Sequence, residues 1–186
     1  ERRKNLTGDV NYSKFRVDEI RERRKMLYLI GENLDSDRAH YLAETGRIVQ
    51  LMRGIYADAD EDVDGIVLRH AVRIANYLYP RAYLSGASAV LLAPTRDGRL
   101  FISGPRSQRK RIRTLEIIQN IAPPHPSTAP ALIADGLGEF RIDVSSLRQR
   151  CLEAFRLRSE HAASMNEEMR ASLAARLIEE YGDPKN

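Results

Sequence analysis

The sequence predicts an α+β fold in which a helical N-terminal region with one β-hairpin precedes a small mixed α/β domain and C-terminal helices. Apolar residues recur at helical spacing through residues 17–30 and 61–79. Short runs of β-forming residues, separated by turn residues, follow between 96 and 142. The 186 residues are enough for one domain, or two small ones, with a hydrophobic core.

Composition divides the sequence into four segments, with the main boundary near residue 80. Residues 1–16 are polar and lack apolar periodicity, so they are expected to form a flexible arm. Residues 17–80 are expected to form a helical domain with one hairpin, and residues 81–158 a small α+β domain. Residues 159–186 are expected to contribute a C-terminal amphipathic helix.

Two helices are predicted before the hairpin. The first covers residues 17–30, where apolar residues share a face that arginines interrupt. An alternative in which "KMLYLIGENL" divides this helix into two stays open. The second helix covers residues 37–45, with Asp35 or Ser36 as its N-cap and Gly46 as its stop.

A tight hairpin follows the second helix. Its strands are predicted at 48–51 and 54–57, joined by a turn at Met52 and Arg53. The order helix, turn, helix, glycine, strand, basic turn, strand is that of a winged helix-turn-helix, which presents one helix to the major groove of DNA. The hairpin, or wing, is then placed to reach a neighbouring phosphate or the minor groove.

Five residues of this region are candidates for nucleic-acid contact. Arg38, His40 and Tyr41, near the start of the second helix, are expected to face bases or phosphates. Arg47 and Arg53 flank the hairpin and are expected to contact the phosphate backbone, which would make binding fall steeply with salt. The competing interpretation is a helical cap packed on a hairpin, with solvated arginines.

The second half is predicted to alternate helices and strands. The acidic run "DADEDVD" is expected to cap a helix at 61–79, which Pro80 ends. A short helix is predicted within 82–92 with Ser85 as its cap, and a turn at 96–98 introduces the strands. These strands are predicted at 100–102, 112–118, 132–134 and 140–142.

Two amphipathic helices complete the prediction. The segment "SSLRQRCLEAFRL" is expected to be helical with four apolar residues inward: Leu147, Cys151, Leu152 and Phe155. A last helix is predicted at 163–180, where apolar residues recur every four positions on one face: Met165, Met169, Leu173, Leu177 and Tyr181.

Positive charge is concentrated in one window. From residue 96 to 113 there are seven Lys and Arg against one acid, Asp97, so that the window carries +6 in a chain whose total is +4. A solvated β-edge, on which charge prevents aggregation, is the alternative to an electrostatic binding role. Whether the window contacts DNA, RNA or a protein stays open. Its candidate nucleic-acid contacts are Arg106, Arg109, Lys110, Arg111 and Arg113.

No catalytic arrangement is recognisable in the sequence. The four histidines are scattered, and none has metal-ligand spacing to another His or Cys. The run "SGAS" at 85–88 lacks the G-x-S-x-G pattern of a serine nucleophile, and no glycine-rich phosphate loop occurs. The protein is therefore expected not to be an enzyme, and to need no metal and no cofactor.

Cysteine usage and hydropathy indicate a cytoplasmic protein without a membrane partner. The single cysteine, Cys151, cannot form an intramolecular disulfide. No apolar run approaches the roughly 18 residues that suggest a membrane span. The opening "ERRKNLTGDV" has no hydrophobic signal core.

The hairpin also carries a resemblance to a known family. The stretch "ETGRIVQLMRGIYA", in which residues 53–57 read Arg-Gly-Ile-Tyr-Ala, resembles the AbiEi-type antitoxin and transcriptional-regulator family. Members of that family carry Arg-Gly-Ile/Leu-Tyr after a short winged helix-turn-helix. Later segments of the chain are similar to that family too, so that the resemblance covers residues 17–156: "AYLSGASAVLL", "LFISGP", "RKRIRTLEII" and "FRIDVSSLRQRCLEAF".

This resemblance implies an operator-binding repressor of a toxin–antitoxin operon, with antitoxin activity that involves the second half of the chain. It implies double-stranded operator DNA as the partner, names a cognate toxin as a candidate second partner, and leaves a homodimer open. The alternative is that the chain is the regulatory or protein-interaction N-terminal region of a larger protein, such as a HipA-like kinase toxin.

Overall fold

A computed structural model describes residues 26–59, 62–156 and 159–182 of the chain. The chain divides into two compact units, one up to Val63 and one from Asp64. The described residues form seven helices and two β-sheets, which confirms the α+β class. The arm predicted at 1–16 and the larger part of the helix predicted at 17–30 lie outside the described residues.

In the first unit, the described residues 26–59 form a three-stranded antiparallel sheet with one helix. Its small apolar core lies between the helix and the sheet, around Leu34, Ala39 and Ile48. The strands follow the order β1-β3-β2, so the third strand pairs with both others. The elements are β1 Leu27–Leu29, α1 Ser36–Glu44, β2 Ile48–Met52 and β3 Ile55–Asp58.

The described end of the predicted first helix is a strand, so the helix predicted to continue to residue 30 is wrong there. Leu27 and Leu29 are fully buried while Tyr28 between them is only partly buried, which is the two-residue period of a strand. Both leucines lie opposite residues of β3 in an antiparallel register. Splitting "KMLYLIGENL" into two helices is wrong for the same reason, and residues 26–59 contain α1 as their single helix.

The second predicted helix and the hairpin are confirmed with small shifts. Asp35 caps α1 by accepting a hydrogen bond from the Arg38 backbone N–H at 2.8 Å. Gly46 follows the helix with a φ of +68°, which an L side chain rarely adopts. The hairpin turn is Arg53 and Gly54, one residue later than predicted, because Met52 still pairs with Ile55.

The second unit has a six-stranded mixed sheet in the order β6-β7-β5-β4-β9-β8. The β5–β7 and β4–β9 pairs are parallel and the other pairs antiparallel, so β6 and β8 are the two edges. Its strands are β4 Tyr83–Leu84, β5 Arg99–Gly104, β6 Gln108–Ile112, β7 Leu115–Ile121, β8 Thr128–Asp135 and β9 Gly138–Ser145. Its helices are α2 Val63–Arg69, α3 Ala71–Leu78, α4 Gly86–Leu91, α5 Leu147–Phe155, α6 Glu160–Ser164 and α7 Glu167–Tyr181.

Both faces of the central strands β5 and β7 are covered. Phe101 and Ile118, on the first face, belong to an apolar cluster with residues of α4, α5 and α7, among them Cys151 and Leu173. The alternating residues of β5 and β7 point to the second face and are equally buried, including Leu100, Ile102 and Ile117. On that second face the Arg73 guanidinium of α3 lies 4.3 Å from the centroid of the Phe140 ring.

One predicted helix is two helices in the structure, and one predicted strand is two strands. The helix predicted at 61–79 breaks at His70, whose φ and ψ of −102° and 16° leave helical geometry, so α2 and α3 are separate. The strand predicted at 112–118 contains the turn of the β6–β7 hairpin, where Arg113 has a φ of +56°. A positive φ at a non-glycine residue is uncommon, and the apolar pattern of the sequence does not signal it.

Some residues predicted to face inward are exposed. Cys151 of α5 is buried as predicted, but Leu152 and Phe155 are about three-fifths exposed, at 62% and 61%. The helix buries Gln149 and Glu153 instead. Both are hydrogen-bonded in the core, Glu153 to Ser145 and Gln149 to Glu153. The last predicted helix is interrupted after Ser164, and Tyr181 at its end is 64% exposed while Met165 and Leu173 are buried.

Candidate nucleic-acid interface and a buried polar cluster

The tip of the β2–β3 hairpin presents an unpaired arginine. Arg53 is exposed in the two-residue turn, and Arg47 is exposed just before β2 begins. Neither guanidinium forms a hydrogen bond or ion pair with another residue that the structure describes. Because the two residues lie at opposite ends of β2, roughly 20 Å apart at about 3.3 Å per residue, they can reach different phosphates but not the same one.

The exposed face of α1 is mixed in charge. Arg38, His40 and Tyr41 are all exposed there, with Tyr41 at 58%. The imidazole Nε2 of His40 lies 3.1 Å from a carboxylate oxygen of Glu44, one turn further along the same helix. Residues 26–59 carry three arginines against five acids, a net charge of −2. Positive charge within residues 26–59 is therefore confined to three arginine positions.

Strand β6 carries the basic window along a sheet edge, and neighbouring elements supply acids that the window lacks. Arg109 is paired with Glu160 of α6, and Arg111 lies 3.9 Å from the carboxylate of Glu116 in β7. In the turn, the Nε of Arg113 donates to Asp64 Oδ1 at 3.0 Å. These acids from outside the window partly neutralise its positive charge, which favours the charged-edge interpretation.

Two candidates of this window keep their charge uncompensated. Arg106 and Lys110 are exposed and have no acidic partner within 4 Å among the described residues. Lys110 lies opposite Ile117 in the register, whereas Arg109 lies opposite Ile118, so the basic side chains of β6 point alternately to the two faces of the sheet. The structure thus places the five predicted residues along one edge but not on one face.

A buried polar cluster that the sequence did not predict joins α4, β5, β7 and α6. The Nε2 atom of His161 lies 2.7 Å from Ser85 Oγ and 3.2 Å from the carbonyl oxygen of Ile102. Because a carbonyl only accepts, Nε2 carries the proton, and the side-chain amide of Asn120 donates to Nδ1. Burial lowers the pKa of His161 to about 4, so the imidazole is neutral.

This protonation state decides what the Ser85–His161 pair can do. A histidine base needs an unprotonated nitrogen facing the serine hydroxyl, but here the protonated Nε2 faces Ser85. Ser85 also accepts a hydrogen bond from the Ser103 hydroxyl at 2.9 Å and is fully buried. The arrangement positions the imidazole but does not activate a serine nucleophile.

Glu153 forms the second half of the cluster. Its carboxylate accepts hydrogen bonds from the Gly86 backbone N–H at 3.0 Å, the Ser145 hydroxyl at 2.8 Å and the Gln149 amide at 3.2 Å. Burial raises the pKa of Glu153, while these donors oppose the rise. The carboxylate therefore ties α4 and β9 to α5. The sequence did contain one signal of this hydrogen bond, because Gln149 and Glu153 are four residues apart and lie on the same side of the helix.

A cavity of about 170 Å³ opens beside this cluster. Its inner wall is polar and includes Ser103, Asn120, Glu153 and His161. Its mouth carries Arg156 and a group of apolar residues, namely Ile121, Pro123 and Leu152. The cavity thus combines buried hydrogen-bonding groups with an apolar rim, as small-molecule sites do.

Comparisons with known proteins give no family assignment. No protein-family model matches the chain, and no curated protein sequence matches it. Among the described residues, no three His, Cys, Asp or Glu side chains are grouped so that they could hold a metal ion. Within the same ranges, every helix is too short or too polar to cross a membrane.

Proposed function

We propose that this chain is a DNA-binding transcriptional regulator of the AbiEi-like antitoxin type, which represses its own toxin–antitoxin operon. The observation that carries the proposal is Arg53, exposed and unpaired at the tip of a hairpin that follows directly after α1. A tight basic turn of this kind can approach a phosphate closely, and Gly54, with a φ of +81°, permits the turn.

The sheet order supports this use of the hairpin. Since β3 pairs with β1 as well as β2, the hairpin is anchored to a third strand and is held more rigidly than an isolated two-stranded ribbon. Asp58 strengthens the anchor by accepting hydrogen bonds from the Tyr28 hydroxyl at 2.9 Å and the Met26 backbone N–H at 3.0 Å. A rigid wing loses little entropy when it contacts DNA.

Charge in the surrounding sequence also supports an anionic partner. Residues 1–25 contain nine Lys and Arg against five acids, a net charge of +4 in the sequence. On α1, Arg38 and Tyr41 are the exposed side chains suited to reading base edges or phosphates. In the basic window at 96–113, Arg106 and Lys110 have no acidic partner among the described residues and can contact the same partner. A cytoplasmic location, a cognate toxin and a homodimer belong to this proposal.

The experiment is a binding titration against the DNA upstream of the protein's own gene, repeated over a salt series. We expect Arg53→Ala and Arg47→Ala each to weaken binding and to reduce the slope of log K against log salt by about 0.9, one phosphate contact each. Arg176→Ala is the control, because Arg176 is exposed on α7 of the second unit. An unchanged slope in both wing variants contradicts the proposal.

A further inference from the structure

The cavity beside the polar cluster has an inner wall rich in hydrogen-bond acceptors. Glu153 is 91% buried, and no Lys, Arg or His nitrogen lies within 4 Å of its carboxylate among the described residues. The amide nitrogens of Asn120 and Gln149 are used by His161 and Glu153, which leaves their oxygens without a described donor. Three acceptors therefore line this space, and the Arg150 guanidinium, whose charge opposes the rise that burial causes in the pKa of Glu153, forms no ion pair with the carboxylate.

A buried hydroxyl near this wall also lacks a partner. Tyr83 is 5% exposed, and its Oη atom forms no hydrogen bond with any described residue. Burial and the negative charge of Glu153 raise the pKa of Tyr83 to about 12, and the nearby Ser103 hydroxyl opposes this without reaching hydrogen-bond geometry. Tyr83 does not line the cavity, so its hydroxyl belongs to the buried surroundings of Glu153 and takes no part in the ligand assignment.

The mouth of the cavity has the opposite character. Arg156 is exposed there, and its guanidinium is not paired with any described acid. Ile121 and Leu152 are each 62% exposed beside it, so the mouth offers apolar surface next to the guanidinium. A matching ligand has a cationic group that faces Glu153, a neighbouring anionic group that faces Arg156, and an apolar side chain.

We propose that the cavity binds a free aliphatic α-amino acid, with its ammonium group on Glu153, its carboxylate on Arg156 and its side chain against Ile121 and Leu152. The volume of about 170 Å³ suits this size, since a cavity of about 150 Å³ takes benzene. An ammonium group supplies the donors that the acceptor-rich wall lacks, and the carboxylate pairs with a guanidinium. This assignment does not depend on DNA binding.

Calorimetric titration of the whole chain with L-leucine and two analogues tests the proposal. The analogues are 4-methylpentanoic acid, which lacks the ammonium group, and 3-methylbutylamine, which lacks the carboxylate. We expect L-leucine to bind at least tenfold more tightly than either analogue. Absence of saturable binding of L-leucine overturns the proposal, and so does equal binding of L-leucine and the amine.

Variants of the two charged positions locate the site. We expect Glu153→Gln and Arg156→Ala each to weaken L-leucine binding at least tenfold, whereas Arg148→Ala, an exposed arginine of α5 outside the cavity, leaves it unchanged. Glu153→Gln alters a buried hydrogen-bond cluster. If the Glu153→Gln variant does not fold, binding of L-leucine to Arg156→Ala tests the site. Arg156→Ala should leave binding of 3-methylbutylamine unchanged, and wild-type affinity for L-leucine in this variant contradicts the site.

Discussion

Arg73 of α3 holds Asp135, at the end of β8, with two hydrogen bonds: Nε to Oδ2 at 2.8 Å and Nη2 to Oδ1 at 2.9 Å. The Nδ1 atom of His70, which is 1% exposed, lies 2.9 Å from the same carboxylate. Although burial raises the pKa of Asp135, the hydrogen bonds from Arg73 and His70 hold it below its ordinary value. The three side chains thereby fix α3 against the β8–β9 hairpin.

Replacing the shared carboxylate should therefore destabilise the second unit strongly. Asp135→Asn removes the carboxylate charge that faces the Arg73 guanidinium, which is 10% exposed. Removal of one member of a buried pair costs about 3 kcal/mol or more. Urea unfolding followed by circular dichroism measures the loss. Asp143→Asn, at an exposed position of β9, is the matched control and should leave the unfolding midpoint unchanged.

Gly98 should tolerate a methyl group poorly. It precedes β5 with a φ of +79°, and a Cβ atom placed there would lie 2.5 Å from the Thr114 carbonyl oxygen. Gly138 has a comparable φ of +106°, but nothing lies within 4 Å of its Cβ position. We expect Gly138→Ala to cost about 1 kcal/mol for the backbone conformation alone and Gly98→Ala about 2 kcal/mol more. Equal unfolding midpoints for the two variants would contradict this reason.

His161 should make the protein sensitive to acid. Its pKa of about 4 lies below the ordinary value of 6.5, so between these values the unfolded chain binds a proton that the native state does not. Stability is therefore fully present above about pH 6.5 and is lost as the pH falls towards 4, by about 3 kcal/mol in total. Glu153, whose pKa is raised, acts in the opposite direction because its native state takes up a proton first.

Comparison of the wild type with His161→Gln separates the contribution of His161 to the pH dependence of stability from that of Glu153. The free energy of unfolding is measured at pH 7 and pH 4 for the wild type and for His161→Gln. We expect the advantage of the wild type to shrink by about 3 kcal/mol between the two pH values. His125→Gln, in the exposed loop before β8, is the control. An advantage that is the same at both pH values would falsify the role assigned to burial.

Local signals predicted the elements whose determinants are local. Asp35 and Gly46 lie at the two ends of α1 because a capping carboxylate and a positive-φ glycine act within a few residues. The hairpin was predictable for the same reason. Strand β1 was not, because three residues are too short for a period and its partner β3 begins at Ile55, far along the chain.

The buried cluster and the charge balance depend on residues distant in sequence. Glu153 is buried because Ser145 and the backbone of Gly86 supply donors from other elements, and no periodic pattern contains that information. Likewise, the +6 window is partly neutralised by Glu160 and Asp64, which only the tertiary fold brings to β6 and its turn. Linear charge counts therefore overestimated the basic surface.

The edge position of β6 leads to a last prediction. Edge strands with charged side chains resist pairing with other molecules, and Lys110 and Arg111 supply that charge on the two faces of β6. We expect the double variant Lys110→Val, Arg111→Thr to self-associate with increasing concentration, as measured by light scattering. Arg141→Val is the control, since Arg141 is exposed on β9, an inner strand of the sheet, where it lies opposite Leu132 of β8. If the double variant stays monodisperse but loses affinity for DNA, the window is a nucleic-acid contact and not a protected edge.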